Sequence, residues 1–187
     1  MHVIETDRLR LQLVDMVLFD FCLEGKRIEA ERYSGVEFDD EWMRDAARLE
    51  RRRNQLMEDA GFAPWCVRMV VLKSTSRVIG QIGFHTPPDP PGLRDVAPGG
   101  IEFGYRIYDG YRRQGYAKES AMGMMRWAVT EFGIPSFVLS ISPGNFASQA
   151  LAKSLGFVKA SEQIDEVDGL EDVLVLQGAT LAHALAI

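Results

Sequence analysis

Seven segments of the chain carry the pattern of hydrophobic and polar positions that is typical of β-strands. They are rich in Val, Ile and Leu, and the first alternates most clearly, since Leu9, Leu11 and Leu13 are separated by polar residues. The predicted strands cover residues 9–13, 65–73, 77–85, 101–108, 137–142, 158–167 and 171–177. Between the last two, Asp168-Gly169 is a strong signal for a two-residue hairpin turn.

Apolar residues at three- and four-residue steps predict four helices. They cover residues 15–32, 40–60, 117–132 and 145–155. Asp15 is a suitable N-cap for the first helix, and Gly156 is a natural left-handed terminator for the last. Residues 86–100 hold five prolines and three glycines and are expected to form a loop. This order predicts an α/β (α+β) fold in which helices pack on a mixed sheet, within a single domain over residues 1–187.

Composition and charge narrow the class of protein. Hydrophobic residues make up 47% and charged residues 26% of the chain, which is ordinary for a globular protein, and the net charge of −6 argues against a general nucleic-acid binder. No apolar run is long enough to cross a bilayer and the first residues lack the apolar core of a signal peptide, so we expect a cytoplasmic protein without a membrane partner. Cys22 and Cys66 lie in apolar stretches without metal-ligand spacing, which favours buried thiols and no metal site.

One short segment carries the clearest chemistry. Residues 112–117 have the sequence Arg-Arg-Gln-Gly-Tyr-Ala and lie between a predicted strand and a predicted helix. A glycine loop that enters a helix leaves backbone N–H groups free at the positive end of the helix dipole, which forms a site for phosphate. Arg112 adds a charged donor for the same anion. The segment therefore predicts a phosphorylated cofactor at the start of the helix; the alternative is an ordinary strand-to-helix turn with solvated arginines.

The chain resembles the GNAT superfamily of acetyltransferases in the spacing of three motifs. These are Arg112-x-x-Gly115-x-Ala117, Asn145-x-x-Ser148 and Leu155-Gly156-Phe157. Two further stretches, residues 5–11 and 101–107, are similar to the branch that includes the Rim-type ribosomal-protein N-terminal acetyltransferases. The resemblance implies a GNAT fold, with a central mixed, mostly antiparallel sheet of about seven strands that is splayed between the fourth and the fifth and flanked by about four helices.

The resemblance also implies acetyl-CoA as the acyl donor and assigns residues to its binding. The Ile107 backbone N–H would donate to the acetyl carbonyl or to the pantetheine arm and stabilise the oxyanion. The Asn145 side chain would hydrogen-bond the cofactor arm, cap its own helix, or do both. A side chain at position 115 would obstruct the anion. The pyrophosphate would be held by the backbone N–H groups of Arg113, Gln114, Gly115, Tyr116 and Ala117.

Three more residues are candidates for the chemistry of transfer. Glu102 is the candidate base that takes a proton from the amine, directly or through a water; the alternative is a solvated glutamate or one that orients the substrate. Ser148 lies where the branch places a hydroxyl near the CoA sulfur, or is a small residue that allows close packing. His85 would line the acceptor cleft, act as a second base, or be structural. Ala152 stands where many relatives have a tyrosine acid, so the general acid is not identified.

These implications predict an acetyl-CoA-dependent N-acetyltransferase that acts on a primary amine by direct attack in a ternary complex. A peptide or protein N-terminal α-amine is the expected acceptor, because roughly a tenth of α-amines but fewer than a thousandth of lysine amines are neutral at pH 7. The alternatives are a small-molecule amine, such as an amino acid, a polyamine or an aminoglycoside, and a CoA-binding sensor without turnover. A monomer or a homodimer is expected, because C-terminal strands often pair subunits in this superfamily.

Overall fold

The computed structural model describes residues 3–166 and 169–186 and consists of two compact units. The first unit contains the described residues up to Gly83 together with Tyr105–Gly123, and the second contains Phe84–Gly104 together with the described residues from Met124 onward. The strand pairs of the first unit are antiparallel, and those of the second unit are mixed. The predicted turn residue Asp168 lies outside the described residues.

Each of the seven predicted strands is present, with ends within three residues of the predicted ones. Alternating or continuous apolar runs therefore located the strands correctly. The strands are β1 Val3–Glu5, β2 Leu9–Leu13, β3 Arg68–Leu72, β4 Arg77–Phe84, β5 Ile101–Ile107, β6 Ser136–Ile141, β7 Val158–Asp165 and β8 Gly169–Gln177.

Two of the four predicted helices were wrongly predicted as single helices, because each is divided into two in the structure. Residues 15–32 form two helices, because Gly25 adopts a left-handed φ of 69° between them. The helix predicted over 40–60 breaks at Asp45, whose ψ of 44° is not helical and whose carboxylate accepts from Gln81 Nε2 at 3.2 Å. The helices are α1 Met16–Leu23, α2 Arg27–Ser34, α3 Asp40–Arg44, α4 Ala46–Glu58, α5 Tyr116–Phe132, α6 Phe146–Leu155 and α7 Gly178–Leu185.

Two elements near the ends of the chain, β1 and α7, were not predicted from the sequence pattern. β1 has only three residues, too few for alternation to be recognised. α7 follows the last predicted strand, and its buried side chains are only Leu181 and Leu185, so its helical period is weak. Both are local additions that leave the predicted α/β architecture unchanged.

In the first unit, β1 to β4 pair in chain order and every pair is antiparallel. β4 is buried from Val78 to its end, so it has a continuous apolar character rather than strict alternation. The predicted burial of Cys22 and Cys66 is confirmed, and both are free thiols. Burial raises the pKa of the Cys66 thiol to about 11, which makes it a poor nucleophile at neutral pH.

In the second unit, which includes β5 up to Gly104, the strands lie in the order β5, β6, β8 and β7. The predicted antiparallel pairing of β7 with β8 is confirmed, but Gly169, predicted as a turn residue, is the first residue of β8 and pairs with Asp165. The core around these strands is aromatic: the Phe103 ring lies 6.3 Å from the rings of Phe84, Phe137 and Phe157. Because these rings are buried, they fix the position of β5 in the unit.

β5 and β6, the fourth and fifth predicted strands, are parallel and pair over two positions only, Ile101↔Phe137 and Glu102↔Val138. This short pairing agrees with the splay expected of the GNAT fold. On its other side β6 pairs with β8 along its whole length, from Ser136 to Ile141. No helix in the described ranges combines the length and apolarity that a bilayer crossing requires.

Candidate active site

The predicted anion loop lies in the first unit, between β5 and α5. A short 3-10 turn over Asp109–Tyr111 follows β5, and α5 begins at Tyr116, one residue before its predicted start. Within the described part of the chain, none of the five backbone N–H groups of residues 113–117 donates to a backbone carbonyl. Residues 113–115 are exposed. The loop therefore presents unused donors at the positive end of a 17-residue helix, an arrangement that fits the diphosphate of CoA.

Two left-handed residues shape the loop. Arg113 has φ 59° and Gly115 has φ 83°, a region that residues with a Cβ rarely adopt. Turns of this kind direct successive N–H groups into one concavity, where an anion binds. A Cβ on Gly115 would also stand 3.3 Å from Arg8 Nη2. Glycine at position 115 is therefore favoured by the backbone conformation and by the neighbouring guanidinium.

Ile107 and Arg112 flank the loop on its β5 side. The Tyr108 N–H donates to Ile79 O in β4 at 3.0 Å, and because N–H groups alternate along a strand, the Ile107 N–H points away from β4. The predicted contact with the acetyl group or the pantetheine arm requires an N–H that is not bonded to β4, and the direction of the Ile107 N–H agrees with this. Arg112 Nε donates to Ile107 O at 3.0 Å, and Arg112 Nη2 lies 2.8 Å from Asp109 Oδ1. The Arg112 guanidinium thus contacts Ile107 and Asp109 while its side chain stays 54% exposed, and its contact with an anion stays a prediction.

Glu102 and His85, the candidate base and the candidate acceptor-site residue, lie together in the second unit. The His85 N–H donates to Glu102 O at 3.0 Å, and His85 Nδ1 lies 3.5 Å from Glu102 Oε1. The Glu102 side chain is 17% exposed and the His85 side chain 41% exposed, so the carboxylate is sheltered and the imidazole is open to solvent. The structure therefore brings together two residues that sequence analysis treated separately.

The surroundings of Glu102 keep its carboxylate ionised. Burial acts to raise the pKa of Glu102, but the neighbouring His85 and the side chain and backbone amide of Ser140 outweigh it, and the pKa lies below its ordinary value. A carboxylate with a lowered pKa is a weak base and a good anionic partner for an imidazole. Ser140, in β6, was not identified by sequence analysis, because nothing in the local pattern distinguishes it from other strand serines.

Gly104 supports the His85 ring. A Cβ at position 104 would stand 2.8 Å from His85 Nε2, so the imidazole lies directly over this glycine. Any other residue in the middle of β5 would displace the ring from its present place. The imidazole is thus held on two sides, with Nδ1 toward Glu102 and Nε2 above the β5 backbone.

Asn145 and Ser148 lie at the start of α6, also in the second unit. Asn145 Oδ1 accepts from the Ser148 N–H at 3.2 Å, so the capping role of Asn145 is confirmed. Asn145 is exposed, and this cap uses only its carbonyl oxygen, which leaves its amide group for the predicted contact with the cofactor arm. Ser148 is half-buried. Ala152, the position of the missing tyrosine acid, is fully buried.

Sequence analysis missed one network that touches the anion loop. Arg8, at the turn before β2, donates to Gln114 O and to Glu119, and Thr6 donates to the same carboxylate. The only sequence signal for these residues was the similarity of residues 5–11 to the Rim-type branch, which identifies the stretch and not its partners. Among the described residues, no three His, Cys, Asp or Glu side chains are grouped as a metal site requires.

Solved structures with the same fold include two acetyltransferases named for ribosomal proteins. The ribosomal-protein-S5-alanine acetyltransferase of Vibrio fischeri matches with a TM-score of 0.66 at 14% identity, over 96% of this chain and 98% of that one. RimL, a ribosomal L7/L12 α-N-protein acetyltransferase solved with coenzyme A, matches with a TM-score of 0.65 at 14% identity, over 94% of this chain and 98% of that one. At such identities the likeness shows the fold.

Sequence comparison gives the family. An N-acetyltransferase of Bacillus subtilis (strain 168), YjdG, which is itself uncharacterised, is 28% identical over 160 residues, 84% of this chain and 90% of that protein. The family model described as acetyltransferase (GNAT) domain matches residues 15–158. That match covers most of the chain, including the anion loop and both residues of the Glu102–His85 pair. The chain therefore belongs to the GNAT family and is an N-acetyltransferase, of the kind that uses acetyl-CoA.

Proposed function

We propose that this protein acetylates the N-terminal α-amine of a peptide or protein, with acetyl-CoA as donor. The row of five unused N–H groups at residues 113–117 supports the first half of the proposal, that acetyl-CoA is the acetyl donor. The acceptor half is supported by the similarity of residues 5–11 and 101–107 to the Rim-type branch and by the ribosomal-protein acetyltransferases among the structural neighbours.

In this proposal, acetyl-CoA is held mainly by main-chain N–H groups. The N–H groups of residues 113–117 bind the diphosphate, and the dipole of α5 adds to their field. The Ile107 N–H donates to the thioester carbonyl, whose oxygen becomes more negative as the amine attacks. Because that hydrogen bond strengthens in the transition state, one such donor lowers the barrier by about 3–4 kcal/mol.

Glu102 and His85 share the removal of the proton from the amine. An imidazole gains and loses a proton near neutral pH, whereas the Glu102 carboxylate stays ionised because its pKa is lowered. Glu102 therefore holds the Nδ1–H tautomer of His85, and His85 Nε2 accepts the proton, directly or through a water. This refines the expectation that Glu102 is itself the base: the carboxylate orients and stabilises the imidazolium.

Ser148 assists departure of the thiolate in this scheme. Its hydroxyl donates a hydrogen bond to the sulfur as the C–S bond breaks, without a full proton transfer. A thiol has a reference pKa near 8.5, so the thiolate leaves without an acid of the tyrosine type. The alanine at position 152 is compatible with this route.

An acceptor panel with thiol release as readout tests the proposal. The panel contains peptides with a free N-terminus, the same peptides with a blocked N-terminus and one lysine, and free amino acids, polyamines and aminoglycosides. We expect turnover with free N-termini and little with blocked ones. Turnover confined to a small amine would overturn the protein acceptor, and CoA binding without turnover on any amine would favour a sensor.

A further inference from the structure

We infer that Arg8 belongs to the diphosphate site: it braces the anion loop and presents its free Nη2 group to the phosphate. This rests on the proposed binding of acetyl-CoA and adds a side-chain donor to a site otherwise built from backbone amides. Arg8 lies more than a hundred positions before the loop, and no motif of the loop includes it.

Arg8 contacts the loop from three directions. Its Nη1 donates to Gln114 O at 3.0 Å, its guanidinium carbon lies 4.5 Å from the centre of the Tyr116 ring, and its Nη2 lies 3.3 Å from the position of a Cβ on Gly115. The first contact fixes a carbonyl inside the loop, and the second is a cation–π contact with the first residue of α5. Arg8 thus holds both the middle of the loop and the start of the helix.

Glu119 explains why an arginine is needed at this place. It lies in the first turn of α5, where its negative charge stabilises the helix but would repel a phosphate bound at the same terminus. Its carboxylate accepts from Arg8 Nε at 2.7 Å, from the Arg8 backbone N–H at 2.7 Å and from Thr6 Oγ1 at 2.6 Å. Burial acts to raise the pKa of Glu119, but Thr6 and Arg8 outweigh it, so the carboxylate stays ionised and paired.

The remaining donors of Arg8 face the anion site. A guanidinium has five N–H donors, and the contacts of Arg8 in the described chain use those of Nε and Nη1. Nη2 lies against Gly115, whose own N–H is one of the unused donors. The Arg8 side chain is 47% exposed, so an anion reaches it from solvent. Arg8 therefore adds a second charged donor beside Arg112, whose guanidinium contacts Ile107 and Asp109.

A comparison of two acetyl donors distinguishes a role of Arg8 in phosphate binding from a purely structural role. Acetyl-CoA carries the diphosphate, whereas S-acetyl-pantetheine has the same thioester without it. In Arg8→Ala we expect the KM for acetyl-CoA and the dissociation constant of CoA to rise by about tenfold, the effect of one charge-assisted hydrogen bond, with kcat unchanged. Turnover of S-acetyl-pantetheine should stay at the wild-type level. Arg8→Lys should recover part of the affinity, because lysine keeps the positive charge but lacks the paired N–H donors of the planar guanidinium.

Arg51→Ala is the matched control, since it removes the same charge from an exposed position on α4 in the same unit. It should leave all constants unchanged. CoA affinity in Arg8→Ala equal to that of the wild type would overturn the inference, and an equal loss with both acetyl donors would show that Arg8 only maintains the fold. Failure of wild-type protein to bind CoA would instead refute the proposed function.

Discussion

The anion loop and the Glu102–His85 pair are built in different ways. The loop uses backbone N–H groups that every residue except proline supplies, together with the fixed dipole of a helix. The pair uses two particular side chains, and its properties depend on burial and on neighbours such as Ser140. A site made of backbone groups tolerates most substitutions and fails when the backbone conformation is lost. A site made of side chains fails when one functional group changes, even though the backbone stays the same.

The two regions also differ in their response to pH. The partial charges of the loop do not titrate, and the Glu119 carboxylate beside it has a lowered pKa and stays ionised. The protonation of an imidazole, in contrast, changes between about pH 5 and 8. Binding of CoA should therefore vary little over that range while turnover varies strongly. Substitutions at four positions test this division: Gly115 in the loop, Glu102 and Gly104 at the pair, and Asn145, which has both a structural and a proposed binding role.

Gly115→Val should have the largest effect, on binding. Valine disfavours φ 83°, and its Cβ would meet Arg8 Nη2, so the unused N–H groups lose their arrangement. We expect CoA affinity to fall by more than about a hundredfold, the equivalent of about 2.7 kcal/mol. Calorimetry measures the affinity, and circular dichroism checks that the fold is retained.

Gln114→Ala is the control for that substitution, because it removes an adjacent side chain and keeps the backbone N–H. The affinity of Gln114→Ala should stay close to that of the wild type. A comparable loss in both variants would mean that the loop binds through its side chains, and the contrast between the two regions would disappear.

Glu102→Gln should lower kcat by about a hundredfold, within the range for general acid–base groups, and leave CoA affinity unchanged. The amide keeps the shape of the side chain and removes the charge that stabilises an imidazolium at His85. Steady-state kinetics with saturating acetyl-CoA measures the effect. Wild-type turnover in this variant would remove Glu102 from the mechanism.

The pH profile of the same variant sharpens the assignment. The pKa of Glu102 is lowered in the fold, so its ionised form contributes stability at neutral pH that is lost only as the pH falls through that lowered value. Glutamine does not ionise, so the loss of stability below about pH 4 that protonation of Glu102 causes should be absent in Glu102→Gln. Denaturant unfolding of both proteins across that pH range measures the difference. An equal loss in both proteins would mean that the fold does not hold the Glu102 carboxylate ionised.

The sequence predicted the loop more completely than the pair, for a physical reason. The loop is local: Gly115 and the strand and helix on either side lie within one stretch of chain. The link between Glu102 and His85 depends on strand register, and the bracing of the loop by Arg8 depends on the placement of β2 beside α5 in the first unit. The break of a predicted helix at Asp45 has the same origin, because the Gln81 that binds its carboxylate lies in β4.

Gly104→Ala should have an intermediate effect, on turnover. The new methyl group would stand 2.8 Å from His85 Nε2, and the half-exposed ring would give way to it. We expect kcat to fall by about tenfold, because small displacements of a catalytic group are costly, while CoA affinity and the melting temperature change little. A loss of stability without a change in kcat per folded molecule would show that Gly104 serves packing alone.

Asn145 should show the smallest effects, and it tests whether one residue belongs to both kinds of site. Its side-chain oxygen caps α6, and its amide group is proposed to bind the cofactor arm. Asn145→Ala removes both functions and should lower the free energy of unfolding by about 1 kcal/mol.

Asn145→Ser separates the two functions, because serine caps a helix well but its shorter side chain lacks the amide. Its stability should return to nearly the wild-type value, as measured by denaturant unfolding. If the amide binds the cofactor arm, the KM for acetyl-CoA should still be raised about fivefold, the loss of one neutral hydrogen bond of about 1 kcal/mol. A KM that recovers together with stability would make Asn145 a cap only, and the cofactor would then be held in this region by groups other than its side chain.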